Sequence, residues 1–420
     1  MKIDTMRRID RLVGVPLCWA ATGLLRVGRW LRAQTPRPIR HVLFIELSEM
    51  GSTILADPAM RRARDGLDAT LHFAIFASNA ASLGLLETVP AANVFRIRDD
   101  TLGHLAVDTL RFLRWARRRG IDTVIDLEPF SRYTSLLSGL SGAERRVGFY
   151  RFEHEGLYCG EMLTHKVAYN PHIHIAKNFM ALVNALGEPA AMQPHSKTAI
   201  TEGALALDTG AVDPAARAAM LARVRTLAPD FDPTRHRLVL INPNASEFLP
   251  QRRWMPDRFA ALARRIIDAD PDAVVLITGA VAERAEAEAL AAAIGSARCH
   301  AFAGRTAVAE LPALYGLAAV MVTNDSGPAH FAAVAALSTV VLFGPETPKL
   351  YRPLGPGRAL YAGLPCSPCV NAYNHRRTPC TDNICMQAIT VDQVFDTVTE
   401  LLQQAPAAPA PRLARLAEAR

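Results

Sequence analysis

The feature that most constrains the fold is the stretch of residues 318–345, AAVMVTNDSGPAHFAAVAALSTVVLFGP. Two apolar runs, each about as long as a buried strand, flank a polar turn and a run of small residues with helical spacing. A strand, a helix and a second strand in this order place both strands parallel in one sheet. The polar turn then lies at the carboxyl end of the first strand.

The same alternation occurs on both sides of a region rich in Ala, Pro and Asp. HVLFIEL (41–47) begins the series before this region, and RLVLINPNA (237–245) begins it afterwards. A length of 420 residues also suggests two domains. We therefore predict an α/β protein with a helix in 1–35, a first Rossmann-like domain in 36–200, a linker in 201–235, a second domain in 236–403 and a loosely held tail in 404–420.

The charge of the chain favours an acidic partner. The formal net charge is +7 and the isoelectric point is about 9.2. A phosphorylated substrate or an anionic lipid surface would suit this balance. Nucleic acid is not expected, because the sequence has no aromatic-rich basic module.

The N-terminus combines basic residues with an apolar run. The run covers residues 12–25 and is short for a membrane span. A basic helix with Trp and Leu on its apolar side is typical of an in-plane anchor, so we predict a peripheral protein at the cytoplasmic face of the inner membrane. A true span or uncleaved signal, and a helix packed on the protein itself, are the alternatives. The basic residues on either side are Lys2, Arg7, Arg8, Arg11, Arg26, Arg29 and Arg32.

The polar turn predicts an anion site. Free N–H groups and a partial positive charge at a helix N-terminus suit a phosphate. Ser326 can donate to an oxygen, Gly327 allows close backbone approach, and His330 would lie on the first turn of the helix. Plain capping of the helix by Asp325 or Ser326 is an equally good interpretation of this motif alone. Asn324 completes the predicted set.

Further polar residues follow neighbouring strands of the second domain. Asn244 follows one strand, Gly279 and Glu283 follow another, and Arg252 and Arg253 precede a helix. Strand ends and arginines that converge on one edge favour a diphosphate ligand. The chain has neither a P-loop lysine motif nor a GxGxxG motif, which argues against an ATPase or a Rossmann dehydrogenase.

The sequence resembles glycosyltransferase family 9, the lipopolysaccharide heptosyltransferases. The block NDSGPAHFAAVAALSTVVLFGPETPKLYRPLGP is similar to the family signature. VLFIELSEMGSTILADPAM is similar to the family's N-terminal ILLIRLSxxGD…PAL, and RRWMPDRF to its KRWPxERF. The similarity extends from about residue 41 to residue 400.

The resemblance implies a GT-B fold, in which two Rossmann-like domains face each other across a cleft, and an inverting enzyme that needs no catalytic metal. It implies a nucleotide-sugar donor, usually ADP-heptose, held in the second domain, and a lipid-linked or surface-glycan acceptor. By position, Arg252 takes the place of the family's diphosphate lysine, and Glu283 matches the acid on the nucleotide side.

One position departs from the family pattern. The family's catalytic base is the aspartate that follows the glycine of the first loop; here Gly51 is followed by Ser52. A serine cannot accept a proton usefully near neutral pH. The predicted substitutes are Glu49 in the same loop and Asp126 or Glu128 after the next strand.

Four of the seven cysteines cluster in the loop 364–386, at Cys366, Cys369, Cys380 and Cys385. Four thiolates with one CxxC pair suit a tetrahedral, structural zinc or iron site that has no open position for catalysis. Some autotransporter heptosyltransferases resembling this family carry a cysteine-bound iron in such a loop. Reduced thiols and disulfides are the alternatives.

The sequence is also compatible with two other functions. One is a protein heptosyltransferase that modifies autotransporters. The other is a catalytically degenerate protein that binds a nucleotide sugar without turnover, which Ser52 favours.

Overall fold

The computed structural model describes residues 10–31, 38–152, 157–189, 192–210, 212–246, 248–374 and 376–404. The chain divides into two compact units. Unit one contains the residues up to Leu205 together with Asn371–Arg376, and unit two contains Ala206–Val370 and the residues from Arg377 onward. The predicted second domain was continuous, whereas the structure assigns Asn371–Arg376 to the packing of unit one.

Unit one is built on a six-stranded parallel sheet with the strand order β3-β2-β1-β4-β5-β6. Its apolar strands β1, β2 and β4 are covered on both faces, which is why they lack polar alternation. The strands are His41–Ile45 (β1), Thr70–Phe76 (β2), Val94–Ile97 (β3), Thr123–Asp126 (β4), Arg145–Tyr150 (β5) and His165–Ala168 (β6); the helices are Val15–Leu31 (α1), Met50–Leu55 (α2), Asp57–Leu67 (α3), Leu102–Arg118 (α4), Arg132–Leu140 (α5) and Ile175–Asn184 (α6).

Unit two repeats this architecture, with the strand order β12-β11-β10-β7-β8-β9. Its strands pair in parallel throughout. The strands are Arg237–Asn242 (β7), Ala273–Ile277 (β8), Cys299–Ala301 (β9), Ala318–Asn324 (β10), Thr339–Phe343 (β11) and Gly357–Tyr361 (β12); the helices are Pro214–Arg225 (α7), Pro256–Ala269 (α8), Arg284–Ile294 (α9), Leu311–Tyr315 (α10), Gly327–Val334 (α11), Pro348–Tyr351 (α12), Ile384–Gln387 (α13) and Val391–Gln404 (α14). The prediction of two Rossmann-like parallel sheets is confirmed.

Helix α1 packs on unit one through a narrow face. Cys18 and Ala21 are buried with Met162 and with the partly buried Leu136 of α5. The hydroxyl of Thr22 accepts a hydrogen bond from the amide of Glu161 at 2.9 Å. No helix in the described residues is long and apolar enough to cross a membrane. Residues 32–37, between α1 and β1, and the tail beyond Gln404 lie outside the described residues.

Candidate functional site

Each sheet has one point at which the strand order reverses. In unit one the reversal lies between β1 and β4, and in unit two between β7 and β10. Ligands of open α/β sheets bind beyond the carboxyl ends of the strands at such points. The predicted site residues of the two units follow these strands, so the fold gathers them into two polar clusters, one in each unit.

The unit-two cluster centres on Arg252, whose side chain is buried together with two acids. Its Nε atom lies 3.3 Å from Asp325 Oδ2, and its Nη2 atom lies 3.4 Å from Glu346 Oε1. Asp325 follows β10, and Glu346 follows β11. Burial raises the pKa of Asp325, although Arg252 opposes this shift. One guanidinium thus faces two carboxyl groups in a desolvated place.

Two asparagines brace this edge of the sheet. The Asn324 side chain accepts a hydrogen bond from the amide of Trp254 at 3.1 Å and donates to the carbonyl of Pro243 at 2.8 Å. Asn244 Nδ2 donates to Glu283 Oε2 at 2.9 Å. These bonds tie the ends of β7 and β10 to the loop that carries Arg252. Asn324 therefore positions the cluster from a fully buried place.

Gly279 lies beneath the hydrogen bond between Asn244 and Glu283. A Cβ atom at this position would meet Asn244 Nδ2 at 2.7 Å and Glu283 Oε2 at 2.8 Å. Any side chain would displace the Asn244–Glu283 pair. The requirement for glycine after β8 is therefore steric.

Helix α11 begins at Gly327, directly after the cluster. Ser326 occupies the N-cap position but makes no side-chain capping bond; its hydroxyl lies 3.2 Å from the carbonyl of Asn324. Capping by the Ser326 side chain, one alternative from the sequence, is therefore wrong. His330 lies buried near the start of the helix. Pro328 has no amide hydrogen, and the Ala329 amide donates to the Ser326 carbonyl at 3.1 Å. What the start of α11 offers an anion is therefore the positive end of the helix dipole together with the Gly327 amide.

Arg253 has a different environment from its neighbour. Its Nη2 atom donates to the carbonyl of Ala245 at 3.1 Å, which braces the loop after β7. Only Arg252 of the two predicted arginines pairs with the acids of the cluster.

Glu346 provides a test of the buried cluster. Burial, opposed by Arg252 and assisted by the charge of Asp325, raises its pKa from 4.5 to about 8. The folded protein therefore keeps a proton that the unfolded chain releases, and the resulting stability, complete below pH 4.5, is lost as the pH rises to about 8. We expect Glu346→Gln to match the wild type near pH 5 and to melt at least ~3 °C higher at pH 9, measured by thermal unfolding. Exposed Glu400→Gln is the control and should leave the pH profile unchanged; a Glu346→Gln profile equal to the wild type would contradict the buried, protonated acid.

The unit-one cluster contains four carboxyl groups at the ends of β1 and β4. Glu46 and Asp126 are almost wholly buried, and burial raises the pKa of each well above its ordinary value. The nearby charge of Glu128 raises both further. Burial therefore disfavours the charged forms of two of the four acids.

Glu128 holds the first loop in place. Its Oε1 atom accepts hydrogen bonds from the amides of Leu47 and Ser48 at 3.0 and 2.9 Å. Its own amide donates to Asp126 Oδ1 at 3.2 Å. The Glu128 carboxylate therefore holds the loop after β1 where the strand order reverses, and its Oε1 atom is already bound to two backbone amides.

Glu49 is the accessible acid of the cluster, with 36% of its side chain exposed. The hydroxyl of Ser52, one helical turn later, donates to Glu49 Oε2 at 3.0 Å. Arg376 forms an ion pair with Glu49 Oε1. Ser52 follows Gly51, at the position where the family has aspartate. Its hydroxyl thus supports an acid three residues earlier, Glu49.

Arg376 belongs to the short segment Asn371–Arg376 that packs with unit one. Burial lowers its pKa to about 10, and the charge of Glu46 opposes this shift. The group therefore stays positive at neutral pH and balances the acids around it. Sequence reasoning missed Glu46, Arg376 and Glu346. Glu46 could have been found, because it stands where the family pattern ILLIRLSxxGD has arginine.

The four clustered cysteines flank this segment, two before it and two after it. Burial, assisted by the charges of Cys369, Cys380 and Cys366, raises the pKa of the Cys385 thiol to about 11. Among the described residues, no group of three or more His, Cys, Asp or Glu side chains has a metal-holding arrangement, and no disulfide is formed. The donor chemistry fits zinc or iron, whereas the side chains are not arranged around a centre.

Comparison with known proteins identifies one family. The model of glycosyltransferase family 9 (heptosyltransferase) matches residues 109–377. Lipopolysaccharide heptosyltransferase 2 of Escherichia coli (strain K12) is 37% identical over 111 residues, which are 26% of this chain and 32% of that protein. The chain thus spans about a third of the length of this curated relative.

Solved structures share the fold over nearly their full length. The E. coli ADP-heptose lps heptosyltransferase II has a TM-score of 0.66 at 20% identity, with coverage of 87% of this chain and 99% of that chain. A family 9 glycosyltransferase from Veillonella parvula DSM 2008 has a TM-score of 0.65 at 16% identity, covering 88% and 99%. These similarities establish the architecture of both units.

Proposed function

The chain belongs to glycosyltransferase family 9, and we propose that it is an inverting glycosyltransferase that transfers heptose from ADP-heptose to a lipopolysaccharide core or related surface glycan. The observation that carries the proposal is the cluster of Arg252, Asp325 and Glu346 beside the uncapped start of α11. A largely buried guanidinium beside the positive end of a helix is suited to a diphosphate. The name of the E. coli structure supports ADP-heptose as the donor.

In this proposal the unit-two cluster stabilises the leaving group. As the bond between the anomeric carbon and the diphosphate oxygen breaks, negative charge grows on that oxygen. Arg252 and the N-terminus of α11 would bind this charge, while Asn324 keeps the loop of Arg252 in place. Preorganised donors aimed at developing charge are usually the largest contribution to catalysis.

We assign the general base to Glu49. It would take the proton of the acceptor hydroxyl while that oxygen attacks the anomeric carbon from the opposite side. Asp126 and Glu46 are buried, which raises the pKa of each well above its ordinary value, and Glu128 is bound to two backbone amides. Glu49 combines exposure with support from Ser52 and Arg376. A held, accessible carboxylate meets the geometric requirement for a base.

Calorimetry on the purified chain tests the donor. ADP-heptose, ADP, a UDP-sugar and a GDP-sugar are titrated separately. Selective binding of ADP-heptose and ADP is expected, and turnover is then compared with a lipid A core and an autotransporter passenger as acceptors. Donor binding without turnover on either acceptor would favour the degenerate, binding-only protein. Absence of binding to all four compounds would refute the proposed donor site.

We also propose that α1 docks on an anionic membrane surface. Large apolar residues are exposed on α1 and in the helical turn Asp10–Gly14 directly before it: Leu12, Val13, Leu17, Trp19, Leu24 and Val27. These are six of the eleven large hydrophobic residues that are exposed among the described residues. An uncovered apolar face with tryptophan, in a chain of net charge +7, matches an in-plane helix on anionic lipid.

Sedimentation with vesicles tests this docking. We expect the wild type to bind vesicles that contain anionic lipid. The variant Trp19→Ser/Leu24→Ser should lose about tenfold or more in affinity, because it lacks two apolar side chains that the wild type would bury in the lipid. Leu110→Ser, an exposed leucine on α4, is the matched control. Equal binding of the double variant and the wild type would contradict the assignment of this face.

For the cysteine loop we propose a structural metal, zinc or iron, held by Cys366, Cys369, Cys380 and Cys385. Elemental analysis of protein purified without chelator should give about one metal per chain. Cys369→Ser should lose it, while Cys299→Ser, a buried cysteine of β9, should retain it. Metal-free wild-type protein would leave these residues as thiols.

A further inference from the structure

Unit one contains a cavity of about 320 Å³ that none of the assignments above uses. Its walls are mainly aromatic, and its volume falls at the lower end of small-molecule sites, which hold ~300–1,000 Å³. The lining side chains that matter are Phe130, Tyr150, Phe152, Tyr169, Tyr373 and His195.

The aromatic rings of the cavity are already packed against one another. The ring centroids of Phe130 and Tyr373 lie 5.6 Å apart, and Tyr169 meets both edge-on, at 6.3 and 5.7 Å. The Tyr373 hydroxyl donates to the carbonyl of Tyr169 at 3.3 Å. A rigid wall of this kind costs little side-chain entropy when a ligand binds.

Polar groups lie at the side of the cavity formed by Tyr150. Its hydroxyl donates to Glu161 Oε1 at 2.6 Å, and Lys166 Nζ lies 4.0 Å from its ring centroid. His195 adds a ring nitrogen to the lining. The cavity therefore combines apolar ring surfaces with a few hydrogen-bonding groups. An acyl chain would leave the polar groups without new partners, which disfavours a purely apolar ligand.

The cavity adjoins the carboxyl cluster through two short chain links. Phe130 follows Glu128 by two residues, and Tyr373 precedes Arg376, the partner of Glu49, by three. Phe130 has a φ of +59°, a left-handed conformation that a bulky residue rarely adopts. Such strain persists where the surrounding structure requires the side chain in a particular place. The strained residue contributes its ring to the cavity wall two residues after Glu128.

We propose that this cavity is a saccharide subsite, which binds a pyranose ring of the acceptor next to Glu49. The C–H face of a sugar ring is positively polarised and suits the negative faces of aromatic rings. Its hydroxyl groups suit His195 and the polar groups around Tyr150. The proposal rests on the proposed glycosyltransferase function for its role, although sugar binding itself can be measured independently.

Saturation-transfer NMR on the full chain tests the subsite with methyl α-mannopyranoside as the probe. In the wild type, saturation of the aromatic protons should pass to the C–H protons of the sugar ring. Tyr373→Leu should reduce the transfer about fivefold or more, because one ring surface is lost, and Tyr373→Phe should retain it. Tyr158→Leu, which alters an aromatic residue outside the lining, is the control. Thermal unfolding verifies that each variant folds, and Phe152→Leu replaces Tyr373→Leu if that variant does not.

Three results would overturn the subsite: no transfer to the sugar in the wild type, transfer that survives both leucine substitutions, or displacement of the sugar by adenosine or n-octanol but not by a second glycoside. Calorimetry with ADP-heptose on the same preparation separates the two proposals. Donor binding without sugar binding refutes only the subsite. Sugar binding without donor binding retains the subsite and refutes the proposed function.

Discussion

Glu49→Gln should lower kcat by about 10²–10⁴-fold and leave the affinity for ADP-heptose unchanged, because the amide cannot accept the proton of the acceptor hydroxyl. The amide can still accept a hydrogen bond from Ser52. Single-turnover kinetics with saturating donor would measure the chemical step, and calorimetry would measure donor affinity. Glu87→Gln, an exposed acid of the same unit, is the matched control.

A second variant distinguishes a lost base from a damaged loop. Ser52 occupies the position at which the family has aspartate, so Ser52→Asp in the Glu49→Gln background should recover part of the lost rate. Arg376→Met should also reduce kcat, because Glu49 loses its ion-pair partner, and Arg376→Lys should recover part of that loss. Full activity of Glu49→Gln would exclude this base and direct attention to Asp126 and Glu128.

Arg252→Lys should weaken ADP-heptose binding about tenfold, and Arg252→Met should reduce kcat/KM by ~10²–10³-fold or more. Lysine keeps the positive charge but loses the planar pair of donors that a diphosphate can accept. Methionine removes the charge from the place where the leaving group develops its own. Steady-state kinetics and donor calorimetry together would show both effects.

Removal of Arg252 also takes the cation away from the buried Asp325 and from the protonated Glu346, which by itself destabilises the fold. The combination Arg252→Met/Glu346→Gln reduces this cost and should remain inactive. Arg253→Lys is the matched control, since that side chain donates to the carbonyl of Ala245 instead. A combined variant that binds ADP-heptose as the wild type does would place the diphosphate elsewhere.

Local patterns in the sequence were sufficient for the two parallel sheets. Runs such as residues 41–47 and 237–245 are apolar without alternation because both faces of their strands are covered. Segments with the apolar spacing of a helix lie between successive strands. The carboxyl ends of parallel strands share one edge of the sheet. Asn244, Asp325 and Glu128 could therefore be assigned to that edge from chain order alone. These inferences use contacts that follow directly from strand order.

The partners of the predicted residues depend on contacts distant in sequence. Arg376 lies 327 positions after Glu49 and reaches it only because Asn371–Arg376 packs with unit one. Glu346 reaches Arg252 through the pairing of β11 with β10. Ionisation is equally a tertiary property, because burial and the charge of Glu128 raise the pKa values of Glu46 and Asp126, whereas Glu49 is 36% exposed. The sequence alone determined the sheets and the edge at which polar residues gather; the tertiary structure decided which acids are buried, which is exposed and which arginine each one meets, because burial and ion pairing depend on the packing of distant segments.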